Sequence, residues 1–285
     1  MTMLWGAVGV LGVALLGLGV LALCDRRARR HEWARLAAHQ PAEPARFSKA
    51  MLHGLPEPAQ RYFRFVIRPG TPLWPVVELA MRGQFGLGTR ATPRYQAMQA
   101  RQILAAPHGF VWAMRTRSGL PLSGSDSGRW TRFRLFGLLP VARLGGNADH
   151  ALSAYGRQAA EAVFWSPAAV LPGPGVAWED VDANTARVTL TRGTLSQAVD
   201  VSVDAEGCPV RVSFQRWSDA NSQRVYRRQP FGGCLSDFRE VDGYRLPFRV
   251  EAGNGFGTHD YFPFFIAEIT EVRFPGAREQ VWRDG

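Results

Sequence analysis

The sequence predicts an α+β protein: an N-terminal transmembrane helix, then a curved, mostly antiparallel β-sheet packed on one long helix. Three observations carry this. Residues 4–24 form an unbroken run of 21 residues without a charge. After Pro72 and Pro75, short aromatic or β-branched runs alternate with Gly, Pro and Ser, the pattern of strands and turns. One long amphipathic segment, residues 149–165, interrupts them.

As a helix rising about 1.5 Å per residue, the run 4–24 reaches roughly 32 Å, enough to cross a hydrocarbon core of about 30 Å. A secretory signal needs a positive start and small residues before its cleavage site. This chain opens Met1-Thr2-Met3 and ends the run in Leu21-Ala22-Leu23-Cys24, so a retained anchor is expected. Acylation of Cys24 is the competing use, opposed by the bulk of Leu23. Arg26, Arg27, Arg29 and Arg30 follow at once. Because positive residues beside a span stay inside, the rest of the chain is expected on the cytoplasmic face of a bacterial inner membrane, with the periplasm as the alternative. The same arginines suit anionic head groups. The organisation is therefore an anchor at 1–25, a basic juxtamembrane segment at 26–54 with a short polar helix ended by Pro41 and Pro44, and one domain at 55–285.

The net charge of +10 divides unevenly. Residues 1–49 hold seven basic and three acidic groups, a surplus of four beside the membrane, leaving six over the domain. Spread so thinly, this is a solvated basic surface, and no nucleic acid is expected as a partner. Lys49 is the only lysine, so the cations are guanidinium groups suited to carboxylate and phosphate. Three cysteines make no disulfide framework, and unpaired buried thiols are expected; Cys208 and Cys234 could pair only in an oxidising compartment.

Within the domain, residues 55–67 read as a helix with Pro and Glu in its first turn and Ala59, Tyr62, Phe63 and Val66 on one face. Strands are expected at 76–85, 99–104, 109–116 and 130–136. The helix 149–165 carries an apolar stripe of Leu152, Tyr155, Ala159, Ala162 and Val163, with Arg157, Gln158 and Glu161 off it. Further strands follow at 186–191, 198–203, 209–217, 233–241, 244–252 and 265–274. Alternation is plain in Val199-Asp200-Val201-Ser202-Val203, and Asp204-Ala205-Glu206-Gly207 and Asp242-Gly243 are hairpin turns, so these strands are antiparallel neighbours.

The stretches Val203-Asp204-Ala205-Glu206-Gly207-Cys208-Pro209-Val210, Phe238-Arg239-Glu240-Val241-Asp242-Gly243-Tyr244 and Ile269-Thr270-Glu271-Val272-Arg273-Phe274 resemble the strand order of bacterial lipoprotein-localisation carriers. That resemblance implies a curved half-barrel holding an acyl chain between sheet and helices, outside the cytoplasm. The whole chain is also similar to a family of bacterial single-pass membrane-anchored proteins of unknown function. Its pieces here are Leu55-Pro56-Glu57-Pro58, Leu135-Phe136-Gly137-Leu138-Leu139-Pro140-Val141, Ala160-Glu161-Ala162-Val163-Phe164-Trp165 and Tyr261-Phe262-Pro263-Phe264-Phe265.

No catalytic motif is recognised. Ser123-Gly124-Ser125-Asp126-Ser127-Gly128 has Asp126 where a nucleophile elbow needs serine and reads as a polar loop. Gly253-Asn254-Gly255-Phe256-Gly257 is followed by a strand rather than a phosphate-binding helix and reads as a turn. The six histidines lie at no ligand spacing, so no metal and no cofactor are expected. Asp149-His150 and His259-Asp260 are the pairings open to acid–base work; Asp149 is more simply a cap or first-turn charge. The remaining signal is aromatic. An apolar cavity is expected, lined by Trp112, Phe164, Trp165, Trp217 and Tyr261, with Arg129, Arg216 and further arginines such as Arg132 and Arg224 at a mouth. The expected function is membrane-anchored binding of an apolar or lipid-like ligand, with membrane lipid as partner. An enzyme acting on membrane-derived substrates and a scaffold for an unknown protein partner are the alternatives.

Overall fold

A computed structural model describes residues 2–276, with the side chains of residues 2–4, 6–8, 10 and 11 left out. The elements are three α-helices, α1 (Thr2–Ala37), α2 (Glu57–Val66) and α3 (Ala148–Trp165), and thirteen strands. The strands of the first half are β1 (Val76–Gly88), β2 (Pro93–Ala105), β3 (Gly109–Thr116), β4 (Leu122–Ser127), β5 (Trp130–Leu135) and β6 (Leu139–Gly145). Those of the second are β7 (Val176–Asp182), β8 (Thr185–Arg192), β9 (Leu195–Val203), β10 (Pro209–Ser218), β11 (Arg227–Val241), β12 (Tyr244–Asn254) and β13 (Phe262–Arg273).

All thirteen strands form one sheet in the order β6-β5-β4-β3-β2-β1-β13-β12-β11-β10-β9-β8-β7. It is two meanders joined where the first strand meets the last: β1 pairs antiparallel with β13, Phe85 opposite Phe265 and Glu78 opposite Arg273. Every other neighbouring pair is also antiparallel, each joined by a short connection between consecutive strands. The chain leaves the first meander at one outer edge, β6, and enters the second at the other, β7. Helix α3 makes that crossing; its 18 residues span about 27 Å. It lies over the concave face, packed chiefly on β9 and β10 and reaching β2, β3 and β12. Gly156 allows the close approach, since a Cβ there would stand 2.9 Å from Gln197 Oε1 and 3.3 Å from the Phe214 ring.

Helix α2 buries Ala59, Tyr62, Phe63 and Val66, as its periodicity predicts, against β7, β8, β9 and β12. The Tyr62 hydroxyl donates to the Val163 carbonyl and ties α2 to α3. Tyr244 fastens the chain entering β1, donating to Pro72 O at 2.7 Å and accepting from Trp74 N at 2.9 Å.

Helix α1 carries the run 4–24 and the polar segment that continues from it as one helix. No proline intervenes before Pro41, and the Arg, Glu and Ala residues after Cys24 are good helix formers, so one helix runs through both segments. Its second half lies on the outer face of β2 and β3. Leu36 packs with Val76, Ile103, Ala105 and Val111 in a small second core. Trp33 Nε1 donates to Glu78 Oε1 at 2.7 Å, and buried Asp25 accepts from Arg132, Arg134 and Arg143. Among the described residues no helix is long and apolar enough to cross a membrane. Leu4, Gly6, Ala7, Val8, Val10 and Leu11 of the run 4–24 lie outside the residues whose side chains are described.

Three strands differ from the expectation. Residues 123–128 form β4 and its turn rather than a loop, because Ser127 is buried with its hydroxyl accepting from Trp130 N, while Ser125 accepts from the Trp130 indole. β6 and β7 are the outer edges, too exposed to alternate. The thiols are unpaired, but Cys24 and Cys234 are exposed and Cys208 half-buried, so the expected burial is corrected.

Candidate functional site

The concave face is incompletely filled. Between β1, β3–β5, β10–β13 and α3 lies a cavity of about 300 Å³, at the lower end of the roughly 300–1,000 Å³ of small-molecule sites. Aromatic rings from the strands form its walls: Phe85 from β1, Trp112 from β3, Phe133 from β5, Phe214 from β10, Phe231 from β11 and Phe264 and Phe265 from β13. The rings form a chain of contacts. Trp112 lies 6.2 Å from Phe85, 6.3 Å from Phe133 and 6.2 Å from Phe265, while Phe264 bridges Phe85 and Phe231 at 5.9 Å to each. α3 closes the opposite side with Ala160, Phe164 and Trp165.

One end of this apolar space is polar. Arg157 of α3 donates to Glu161 Oε1 at 2.7 Å and to Asp126 Oδ2 at 2.9 Å, and its guanidinium covers the Phe110 and Trp112 rings. Gln102 donates to Glu161 Oε2 at 2.6 Å. Burial lowers the Arg157 pKa, but the two carboxylates outweigh it and hold the guanidinium above its ordinary value. Thr131 donates to Asp126 Oδ1 at 2.6 Å and lies 3.2 Å from His150 Nε2. Burial holds the His150 imidazole below its usual pKa.

Arg216 lines the same end, stacked 4.9 Å over the Phe231 ring. Its Nε is buried without a partner, and so is the indole Nε1 of Trp112. Burial first, and then the neighbouring Arg157, push the Arg216 guanidinium below its ordinary pKa. The cavity thus offers a long aromatic wall and, at one end, two unsatisfied N–H donors beside a cluster of one guanidinium and two carboxylates, whose second carboxylate has Arg216 as its nearby countercharge.

Of the residues singled out in the sequence, Trp112, Phe164, Trp165 and Arg216 come together here. Trp217, Tyr261 and Arg129 do not. Trp217 is one residue out of step with Val212, Phe214 and Arg216 on β10, so alternation takes it off the cavity wall. Its indole donates to Asp149 Oδ1 at 2.8 Å, and its ring stacks on Tyr226. Tyr261 sits in the β12–β13 connection, edge-on to Phe256, and its hydroxyl is 3.5 Å from Glu251. Burial and the Glu251 charge push its pKa up. Arg129 is exposed on the outer side, 3.6 Å from Glu32 of α1; Arg132 is engaged by Asp25. The cap of α3 is Asn147, whose side chain accepts from His150 N at 2.8 Å; Asp149 is the first-turn charge.

Sequence reasoning placed Arg157 and Glu161 off the buried stripe, and the structure corrects this: nearly the whole circumference of α3 from Ala154 on is buried, and this polar pair faces the cavity. Their i, i+4 spacing was the available signal; their partners Gln102 and Asp126 lie on distant strands. Neither histidine pairing forms a cleft dyad. His259 and Asp260 approach to 3.2 Å on an exposed turn, and His150 meets Thr131 rather than a carboxylate. Among the described residues no cluster of three metal-ligating side chains occurs.

Residues 45–266 match the model of a family of unknown function, DUF6544. The chain belongs to that family. No curated protein matches it. Among solved structures it is similar to a LolA superfamily protein from Nitrosomonas europaea, at 11% identity and a TM-score of 0.37 over 72% of this chain and 88% of that one. It is also similar to a protein described as an outer membrane lipoprotein-sorting domain from Vibrio parahaemolyticus, at 11% identity and a TM-score of 0.36 over 72% and 87%.

Proposed function

We propose that this DUF6544 member holds an apolar, lipid-like ligand in the cavity between its sheet and α3, and that the run 4–24 anchors it beside the membrane from which such a ligand comes. One observation carries the reading: a partly open space of about 300 Å³, walled chiefly by aromatic rings, is left between the sheet and α3. Native cores seldom tolerate such a void, because every unfilled volume forfeits dispersion contacts and costs about 24 cal/mol per Å³. An apolar chain restores those contacts. The unsatisfied Trp112 Nε1 and Arg216 Nε at one end give an amphiphile a polar head position and hence an orientation.

The anchor rests on the length of the uncharged run and the arginines that follow it, and those arginines favour the cytoplasmic side for the domain. Washing membranes with carbonate tests the anchor: the intact chain stays, and release of the intact chain counts against it.

The ligand reading is tested by titrating the detergent-solubilised full chain with a brominated fatty acid and following tryptophan emission. Saturable quenching is expected, reduced by Trp112→Phe and unaffected by Trp217→Phe. Absence of saturable quenching, or quenching that vanishes with Trp217 instead of Trp112, overturns it.

A further inference from the structure

The opposite face of the sheet carries a second feature that the cavity does not explain. Where α1 crosses the outer face of β1–β5, an open groove of about 1150 Å³ runs between helix and strands. Nine arginines and two carboxylates line it. Both carboxylates are already engaged. Asp25 accepts from Arg132, Arg134 and Arg143, and its carboxyl is held below the ordinary range even though burial alone would raise it. Glu78 accepts from Trp33 and Arg273.

The surplus cations face one another across the groove. Arg26, Arg29 and Arg30 stand on one side of α1, at the spacing that puts helical residues on a shared face. Arg101 of β2 and Arg115 of β3 stand on the strands opposite. Arg115 reaches only the neutral Gln99, and among the described residues Arg26, Arg29, Arg30 and Arg101 have no hydrogen-bond or ion-pair partner. Arg29 is half-buried, and its guanidinium is pushed below its ordinary pKa by burial and by Arg26 and Arg30. On the groove floor, Arg134 is held by Asp25. The Arg134 side chain is 9% exposed, and its Nε is buried with no partner.

Like charges gathered in a groove with a low-dielectric wall raise the local potential and concentrate counter-ions. Guanidinium groups pair with planar or tetrahedral oxyanions through two parallel N–H donors. A groove of this size with five uncompensated arginines is too large and too charged for a single monoanion. We propose that it is a binding site for a ligand carrying two or more phosphate groups, clasped between Arg26, Arg29 and Arg30 of α1 and Arg101 and Arg115 of the sheet. The source is either a diphosphate lipid head group, which the end of the apolar run at Cys24 would bring close, or a soluble polyphosphate.

The test uses the full chain in neutral detergent with two probes: tripolyphosphate free in solution, and cardiolipin in the micelle with phosphatidylcholine as control. Arg29→Gln/Arg101→Gln removes two groove cations that hold no structural bond, and Arg227→Gln/Arg228→Gln removes two exposed cations outside the groove. Calorimetry is expected to show saturable binding of at least one probe, weakened about tenfold or more by the groove variant and by added salt, with the control variant within about twofold and melting temperatures alike. Binding of tripolyphosphate identifies a soluble ligand, and binding of cardiolipin alone identifies a head group; either supports the site. Failure of both probes to bind, or equal weakening by the two variants, overturns it.

Discussion

Arg157→Met tests whether the polar end of the cavity is a closed structural unit. The guanidinium lies 2.7 Å from Glu161 and 2.9 Å from Asp126, and side-chain exposure is below a fifth for all three. Burying ions is expensive, and a buried pair is tolerated because each partner offsets the other's desolvation. Methionine keeps much of the aliphatic stem and its packing on Phe110 and Trp112 but leaves two carboxylates facing apolar walls. Removing one partner of such a cluster costs about 3–5 kcal/mol, whereas replacing all members is close to neutral. The assay is urea unfolding of wild type, Arg157→Met and the triple variant Arg157→Met/Asp126→Asn/Glu161→Gln, followed by near-ultraviolet circular dichroism. The single variant should lose about 3–5 kcal/mol and the triple should recover at least about half of it. A loss below about 1 kcal/mol, or a triple variant no better than the single one, refutes the reasoning.

Trp217→Phe removes the bond to Asp149 and should cost about 1.5–3 kcal/mol in unfolding free energy, leaving ligand affinity unchanged in the quenching assay. Gly243→Ala should lower the melting temperature sharply: its φ of +85° disfavours a side chain, and a Cβ would stand 2.2 Å from Thr71 Oγ1. His108 stacks on His39 with ring centroids 3.7 Å apart; burial first, and then His39, Arg192 and Arg35, lower its pKa from 6.5 to about 4. The folded state therefore refuses a proton that the unfolded chain accepts. This stability is fully present above about pH 6.5 and is lost as pH falls toward 4. Urea midpoints at pH 7 and pH 5 should differ less in His108→Gln than in wild type.

The second meander was legible almost strand for strand, because β8 and β9 alternate between a dry and a wetter face and the turns after β9 and β11 carry Asp and Gly. What escaped follows from contacts that sequence does not display. β4 looks like a loop because it is built of Ser, Gly and Asp, whereas Trp130, three and five residues further on, satisfies Ser127 and Ser125 across the β4–β5 turn. The pairing of β1 with β13, which closes the two meanders into one sheet, joins residues nearly 200 positions apart. Of the aromatic residues expected around a cavity, Trp112, Phe164 and Trp165 line it, because aromatic residues on predicted core elements have few other places to go. Trp217 was misplaced by a single step of register on β10, where the period of two decides the wall. Arg26, Arg29 and Arg30 read in sequence as a topological signal that also suits anionic head groups, but the groove itself was not legible, since Arg101 and Arg115 opposite them lie in separate strands.

The central claim is that the cavity is occupied by an apolar ligand. Native mass spectrometry of the detergent-released full chain addresses it most directly, comparing wild type with Ala160→Trp, which fills the space from α3. The account predicts a bound lipid-sized mass on the wild type and its loss from the variant, with the fold retained at a cost of about 1–3 kcal/mol for overpacking. A wild type that carries no adduct even after incubation with lipid, or an adduct that persists in Ala160→Trp, contradicts it.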